Sequence, residues 1–284
     1  KFGNKNQKEK WLPKLSSGEH IGAWGLTEPN TGSDASKMAS TACRKGNKWV
    51  LNGTKNFITL GKSGDIAVVI FRTGPVGEKN NSTAFVIERG VRGFDSGKKE
   101  NKLGMRASET AEMIFQDCII DDSNRLGEVG DGFKQAMKIL DGGRISIAAL
   151  SLGIAKGAYE ASLKYSNERI QFGKPIAAKQ LQQKKLAEML TEITKAQLLS
   201  WKLGKLKNED KATSAQISLA KRNNVDMAMN IAREARQVLG GMGITGDFSI
   251  MRHMMNLESV ITYEGTHDID LLILGNEITG HNAF

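Results

Sequence analysis

Residues 111–136 read AEMIFQDCIIDDSNRLGEVGDGFKQA, and the character of the chain changes inside them. Residues 111–120 are a strand-like run of Met, Ile, Phe and Cys. A turn-rich stretch follows, and from Asp131 onward apolar residues recur at helical spacing. Upstream, short runs rich in Val, Ile and Phe at 48–51, 65–72 and 83–88 are broken by Gly, Asn and Asp. Gly46-Asn47 between 41–45 and 48–51 predicts a tight hairpin. Downstream, four helical segments are predicted over 132–169, 179–208, 213–239 and 248–279. Leu181, Leu186, Met189, Leu190 and Ile193 mark the apolar face of the second. Gly173-Lys174-Pro175, residues 208–212 and Gly240-Gly241-Met242-Gly243 supply the breaks. Strands followed by helices predict an α+β chain, a β-domain joined to a helical bundle with the boundary near Glu128.

Composition narrows the function. The chain has 284 residues, room for one large domain or two ordinary ones. Its longest apolar runs, such as 66–71 and 145–154, fall short of the ~20 residues of a membrane helix. Residues 1–12 are polar and basic with no apolar leader, and no methionine opens the chain. Two cysteines, Cys43 and Cys118, suggest a reducing compartment rather than a disulfide framework. The formal charge of +9 suits an anionic partner. Lys and Arg are spread along the chain without interleaved aromatics, which argues against nucleic acid; a phosphate-rich small molecule fits better, and most of the excess charge reads as solvated surface. The four histidines show no ligand spacing with either cysteine, so no metal is expected.

Five groups of residues could carry chemistry. Residues 24–34, from Trp24 to Asp34, form a Gly/Asn/Ser/Asp loop whose N–H groups and hydroxyls suit phosphates or ring carbonyls; equally, they suit a plain turn. In Phe57-Ile58-Thr59 an aromatic beside a hydroxyl can cover a planar ring, or simply be strand. Arg169, in the stretch through Gln171 and Phe172, can hold a pyrophosphate or only answer a helix dipole. Gln237 with Gly240 and Gly241 is no dinucleotide fingerprint, because it closes a helix instead of opening one. Its glycines cap the helix or let a ligand approach the backbone. In Tyr263-Glu264-Gly265-Thr266, Glu264 is either a partly desolvated base or a surface residue ahead of a Thr cap.

In this order and at these separations, the five groups resemble the acyl-CoA dehydrogenase family over essentially the whole chain. The resemblance implies an antiparallel β-barrel-like domain over 1–128, followed by a four-helix bundle over 129–284. The family has a further N-terminal helical domain of roughly a hundred residues, which lies outside the resemblance. The expectation is therefore a folded, oligomeric flavoprotein, slow without that domain. The β-domain resembles short-chain members, whereas residues 182–194 and 254–268 look closer to glutaryl-CoA dehydrogenases.

The resemblance also implies roles. Trp24, Leu26 and Thr27, with Gly32 and Ser33 nearby, fall where the family meets the flavin of FAD. Ser33 is placed towards the thioester as well. Phe57, Ile58 and Thr59 match the segment over the other flavin face, where the family usually has Trp-Ile-Thr. Arg169, Gln171, Phe172, Gln237, Gly240 and Gly241 match positions that reach the FAD of a neighbouring subunit. Thr266 and Asp268 match positions near its adenosine diphosphate portion. Asp141 and Arg144 match CoA contacts, and Tyr263 and Gly265 flank the substrate. Glu264 matches the base that takes the α-proton, with hydrogen bonds to the thioester carbonyl from FAD and the Glu264 N–H. Implied partners are an acyl-CoA substrate, a second copy or three more (homodimer or homotetramer), and an electron-transfer flavoprotein. The implied compartment is the cytoplasm in a bacterium or the mitochondrial matrix in a eukaryote. Two rivals are a non-catalytic FAD- or CoA-binding remnant and an acyl-CoA oxidase.

Overall fold

The computed structural model describes residues 1–283. They form two compact units, one of Lys1–Lys102 with Arg106–Ile139, the other of Leu103–Met105 with Leu140–Phe284.

In the first unit, eight strands build one sheet: β1 Gly22–Gly25, β2 Thr41–Lys45, β3 Lys48–Thr59, β4 Ile66–Arg72, β5 Ser82–Glu88, β6 Phe94–Lys99, β7 Thr110–Asp121 and β8 Arg125–Leu126. The path runs β6-β7-β3-β2-β4-β5-β8, with β1 beside β4. Most neighbours are antiparallel, but β1 pairs with β4 in parallel and β2 touches β4 in the same sense. The expected antiparallel sheet is therefore corrected to a mixed one, and among the described residues no pairing joins β6 to β8. The predicted hairpin is present: Lys45 faces Lys48, and Gly46 takes the left-handed φ of +64° that the two-residue turn demands. The core lies among Trp49, Leu51, Phe71, Phe85, Met113 and Phe115. Phe115 stacks on Phe94 at 4.7 Å and meets Phe71 edge-on at 5.0 Å.

A stretch without apolar periodicity, Lys5–Ser17, forms the helix α1. Asn4 and Gln7 cap it reciprocally, at 2.9 and 3.1 Å. The buried Gln7 amide donates to the carbonyls of Ser123 and Arg125, and the Trp11 indole donates to Glu88 at 2.7 Å. Helix α1 is therefore fastened by these polar anchors together with Trp11 and Leu15 packed on Ile66, Val68 and Val86, too few apolar positions for hydrophobic spacing to reveal.

The other helices are α2 Gly132–Glu168, α3 Gln180–Asn208, α4 Ser214–Val238, α5 Ile250–Thr262 and α6 His267–Thr279. Among the described residues the chain has six α-helices, and five of them fall within 129–284, where the expected bundle has four. The segment predicted as one helix over 248–279 is two, because the backbone leaves the helix at Glu264 (φ +58°) and Gly265 (φ +88°) before Thr266 caps α6. In the second unit the core is rich in small residues: Ala155 and Ala158 on α2, and Ala228, Ala232 and Ala235 on α4, which admit close helix packing. Leu186, Met189 and Ile193 of α3 join it, whereas Leu181 and Leu190 stay exposed, so the buried stripe is narrower than predicted. No described helix is long and apolar enough to cross a membrane.

Candidate active site

The break between α5 and α6 is pinned from three helices. Arg144 on α2 donates from Nε to the carbonyl of Glu264 at 2.9 Å. Lys221 on α4 donates to the carbonyl of Gly265 at 2.7 Å. Both cations meet the buried carboxylate of Asp270 on α6, at 3.3 Å from Arg144 and 3.2 Å from Lys221. Ser218 lies 3.4 Å from Arg144 Nη1. Thr266 accepts from the N–H of Ile269 at 3.2 Å, closing the first turn of α6. Gly265 is required twice: its φ is left-handed, and a β-carbon there would press on Cζ and Nε of Arg144 at 3.1 Å.

The Glu264 side chain lies against α2 at Gly143, where a β-carbon would sit 2.9 Å from its Cδ. Burial pushes the Glu264 carboxyl above its ordinary range, and the charges of Arg144 and Lys221 pull in the other direction without cancelling the rise. Tyr263 is pushed up by burial and by its acidic neighbour. The result is a half-buried carboxylate with a raised proton affinity, on backbone whose carbonyls are held by Arg144 and Lys221. Of the expected contacts nearby, Arg144 is buried and occupied by main-chain and Asp270 contacts. Asp141 accepts from Ser214 at 2.8 Å, and Asp268 is exposed in the first turn of α6.

In the first unit, the 24–34 loop and the 57–59 segment are neighbours. The N–H of Asn56 donates to the carbonyl of Thr27 at 2.8 Å. Between Lys55 and Ile58 the register of β3 slips against β7, and Phe57 takes φ +56°. The ring is thereby turned out and is 60% exposed, while Ile58 is buried beside it and Thr59 is open. Leu26 is buried, and the indole N–H of Trp24 is buried without a partner, as is the hydroxyl of Thr31. Gly32 has open space where a side chain would be, and Ser33 is exposed. An open aromatic ring, unused donors and an uncluttered glycine loop fit a flat, polar-edged ring system such as a flavin. Beneath them lies a buried ion pair, Lys55 with Glu28 at 2.6 Å; Lys55 also lies 3.3 Å from the carbonyl of Leu26.

At the end of α2, β9 Ile170–Gln171 and β10 Lys174–Pro175 form a small hairpin. Its two turn residues, Phe172 and Gly173, have φ of +53° and +74°, and the Phe172 ring is 93% exposed. Arg169 and Gln171 are exposed on the same hairpin. Tyr165 meets Phe248 edge-on at 5.5 Å, which brings the end of α2 to the chain just beyond the 240–244 turn. There Gly240 follows α4 at φ +57°, a left-handed helix stop, and Gln237, Gly240 and Gly241 face solvent.

Gly143, Ser218, Lys221, Asp270, Glu28 and Lys55 escape sequence reasoning. Each is defined by partners distant in sequence. One signal was present: Gly142-Gly143 inside a long helix is costly enough to suggest close approach.

Residues 23–118 match the middle domain of acyl-CoA dehydrogenases and residues 130–279 the C-terminal domain. The chain is 42% identical to an acyl-CoA dehydrogenase of Bacillus subtilis, over 98% of this chain and 74% of that one. It superposes on butyryl-CoA dehydrogenase from Megasphaera elsdenii with a TM-score of 0.94 at 42% identity, covering 98% of this chain and 73% of that one. For a glutaryl-CoA dehydrogenase from Mycobacterium smegmatis in complex with FADH2 the TM-score is 0.95 at 40% identity, covering 100% and 72%. The matched family is one of FAD-dependent flavoprotein oxidoreductases, and one of these neighbours is a complex with FADH2. The chain belongs to the acyl-CoA dehydrogenase family.

Proposed function

We propose that the chain carries out α,β-dehydrogenation of a short-chain or glutaryl-like acyl-CoA thioester, with Glu264 as the base. The observation that carries this reading is the half-buried Glu264 carboxylate, raised in pKa and set against a bare glycine at the pinned helix break. FAD, when bound, supplies the acceptor for the β-hydride. Trp24, Leu26, Thr27, Gly32 and Ser33 on one segment and Phe57, Ile58 and Thr59 on the other would hold its ring. Glu264 takes the proton from the α-carbon, and its N–H is offered to the thioester carbonyl, which acidifies that carbon. Arg144 keeps both in place by holding the adjoining carbonyl. Asp141, Arg144, Tyr263 and Gly265 would shape the substrate side.

In this reading residues 1–128 are the flavin-binding β-domain and 129–284 the bundle. Arg169, Gln171, Phe172, Gln237, Gly240 and Gly241 would serve the FAD of a second copy, with Thr266 and Asp268 near its diphosphate. A phenylalanine 93% exposed at the tip of a hairpin supports a homodimer or homotetramer. An electron-transfer flavoprotein would reoxidise the enzyme.

The test is anaerobic mixing of FAD-loaded protein with butyryl-CoA or glutaryl-CoA. Bleaching of the flavin is expected, slowed ~10²–10⁴-fold by Glu264→Gln with FAD affinity kept. Parent-like reduction in that variant would remove Glu264 from the role.

A further inference from the structure

Asp270 is wholly buried and carries a carboxylate between two buried cations. The resemblance gives it no role, and it is too deep in the unit to meet a substrate. Both its partners end on the main chain of the base: Arg144 on the Glu264 carbonyl and Lys221 on the Gly265 carbonyl. The charge balance around Glu264 therefore depends on it. With Asp270 ionised, two cations and two carboxylates cancel. Without it, Glu264 faces two cations with only Asp141, at the edge of the cluster, to offset Arg144.

We propose that Asp270 is a positioning residue for the base: it holds Arg144 and Lys221 on the 264–265 backbone and neutralises them, so that Glu264 keeps its affinity for the α-proton. This rests on the reading of Glu264 as the base. The groups packed around the break are Asp141 and Arg144 on α2, Lys221 on α4, Tyr263 beside Glu264, and His267 and Asp270 on α6. Asp141 is engaged by Ser214 and lies 4.0 Å from Arg144, at the edge of the cluster. Among the described residues, Asp270 is the one carboxylate in contact with both cations that hold the break. Burial raises the pKa of Asp270, and Lys221 and Arg144, both within 3.3 Å, oppose that rise. Burial lowers that of Lys221, and Asp270 opposes it. Each charge in the set is thus tolerated because of the next.

The experiment uses the full FAD-loaded chain and two readouts. One is the pH profile of flavin reduction by butyryl-CoA in stopped flow. The other is infrared titration of the Glu264 carboxyl, identified by its loss in Glu264→Gln. In Asp270→Asn the acid limb and the carboxyl titration should both move to lower pH, and reduction above the limb should slow about tenfold, because a less basic carboxylate abstracts more slowly. In Lys221→Met they should move to higher pH, since one cation is gone. In the double variant, where charge is again balanced, they should return towards the parent values. If Asp270→Asn does not fold, the Lys221→Met and double variants decide the matter by the same shift and return. Limbs that stay at the parent pH in the folded variants would overturn the proposal, even if stability falls. A Glu264→Gln chain that still reduces its flavin at the parent rate would instead defeat the assignment of the base, while the infrared titration still reports on Asp270.

Discussion

Gly143 and Glu264 occupy one shared space, since a β-carbon at 143 would stand 2.9 Å from Cδ and 3.2 Å from Oε1 of the glutamate. The colliding atoms belong to the free end of a side chain, so the glutamate gives way and the helix does not. Gly143→Ala should therefore keep or raise the thermal midpoint, because alanine gains about 0.5–1 kcal/mol in a helix interior. Flavin reduction should slow by roughly ten- to a hundredfold as the carboxylate is displaced. Calorimetry and stopped flow on the same preparation check both. A lower midpoint with an unchanged rate would contradict the shared-space account.

The raised pKa of Glu264 also makes stability depend on pH. The folded chain binds that proton more tightly than the unfolded chain, whose glutamate has the ordinary value of 4.5. Stability is therefore lost as pH rises from 4.5 through the folded value, and the ionised carboxylate destabilises the fold above it. Glu264→Gln, uncharged throughout, should melt at a higher temperature than the parent at neutral and alkaline pH. The difference should vanish below pH 4.5. A melting series across pH tests this, and a variant that melts lower at neutral pH would refute it.

The general plan was legible in the sequence wherever a local pattern decides it. The switch from strands to helices near 128, the Gly46-Asn47 hairpin and the left-handed stop at Gly240 all follow from residue chemistry within a few positions. The break at Tyr263–Thr266 was hidden, because apolar spacing continues across it, and only the Thr266 cap hints at a new helix. Helix α1 was hidden too, since only Trp11 and Leu15 give it apolar contacts with the sheet, and the amide of Gln7 and the indole of Trp11 supply polar anchors. Partners such as Arg144 and Asp270, more than a hundred residues apart, leave no local trace at all.

Lys55 and Glu28 are buried together, with 0% and 3% of their side chains exposed. Burial pushes the Glu28 carboxyl up, but the Lys55 charge and hydrogen bonds from Lys55, Ala39 and Ser40 bring it below the ordinary range. Lys55→Met leaves that carboxylate without its cation and should cost about 3–5 kcal/mol in urea unfolding. Adding Glu28→Leu should restore much of the loss. Equal stability of the single and double variants would show that the pair is not coupled.

Phe57 is held at φ +56°, where a side chain is strained by about 1–2 kcal/mol. Phe57→Gly should remove that strain and leave the FAD-free protein as stable as the parent or more so, while FAD binds more weakly for want of the ring. Phe57→Trp should keep the cover and add an indole donor. Fluorescence titration with FAD and thermal melts of the FAD-free forms separate the two effects. Glycine binding FAD as tightly as phenylalanine would show that the ring takes no part.

The interruption between α5 and α6 changes what a single amino acid can offer. Inside an unbroken helix, the amide of residue 264 would be committed to the carbonyl four positions back, and its side chain would project from a cylinder shared with every neighbour. Leaving the helix for a few residues releases that amide from the ladder while Arg144 and Lys221 grip the adjoining carbonyls. In the proposed role one residue would then act with both of its ends, drawing electron density towards its amide while its carboxylate strips the proton that this withdrawal has loosened.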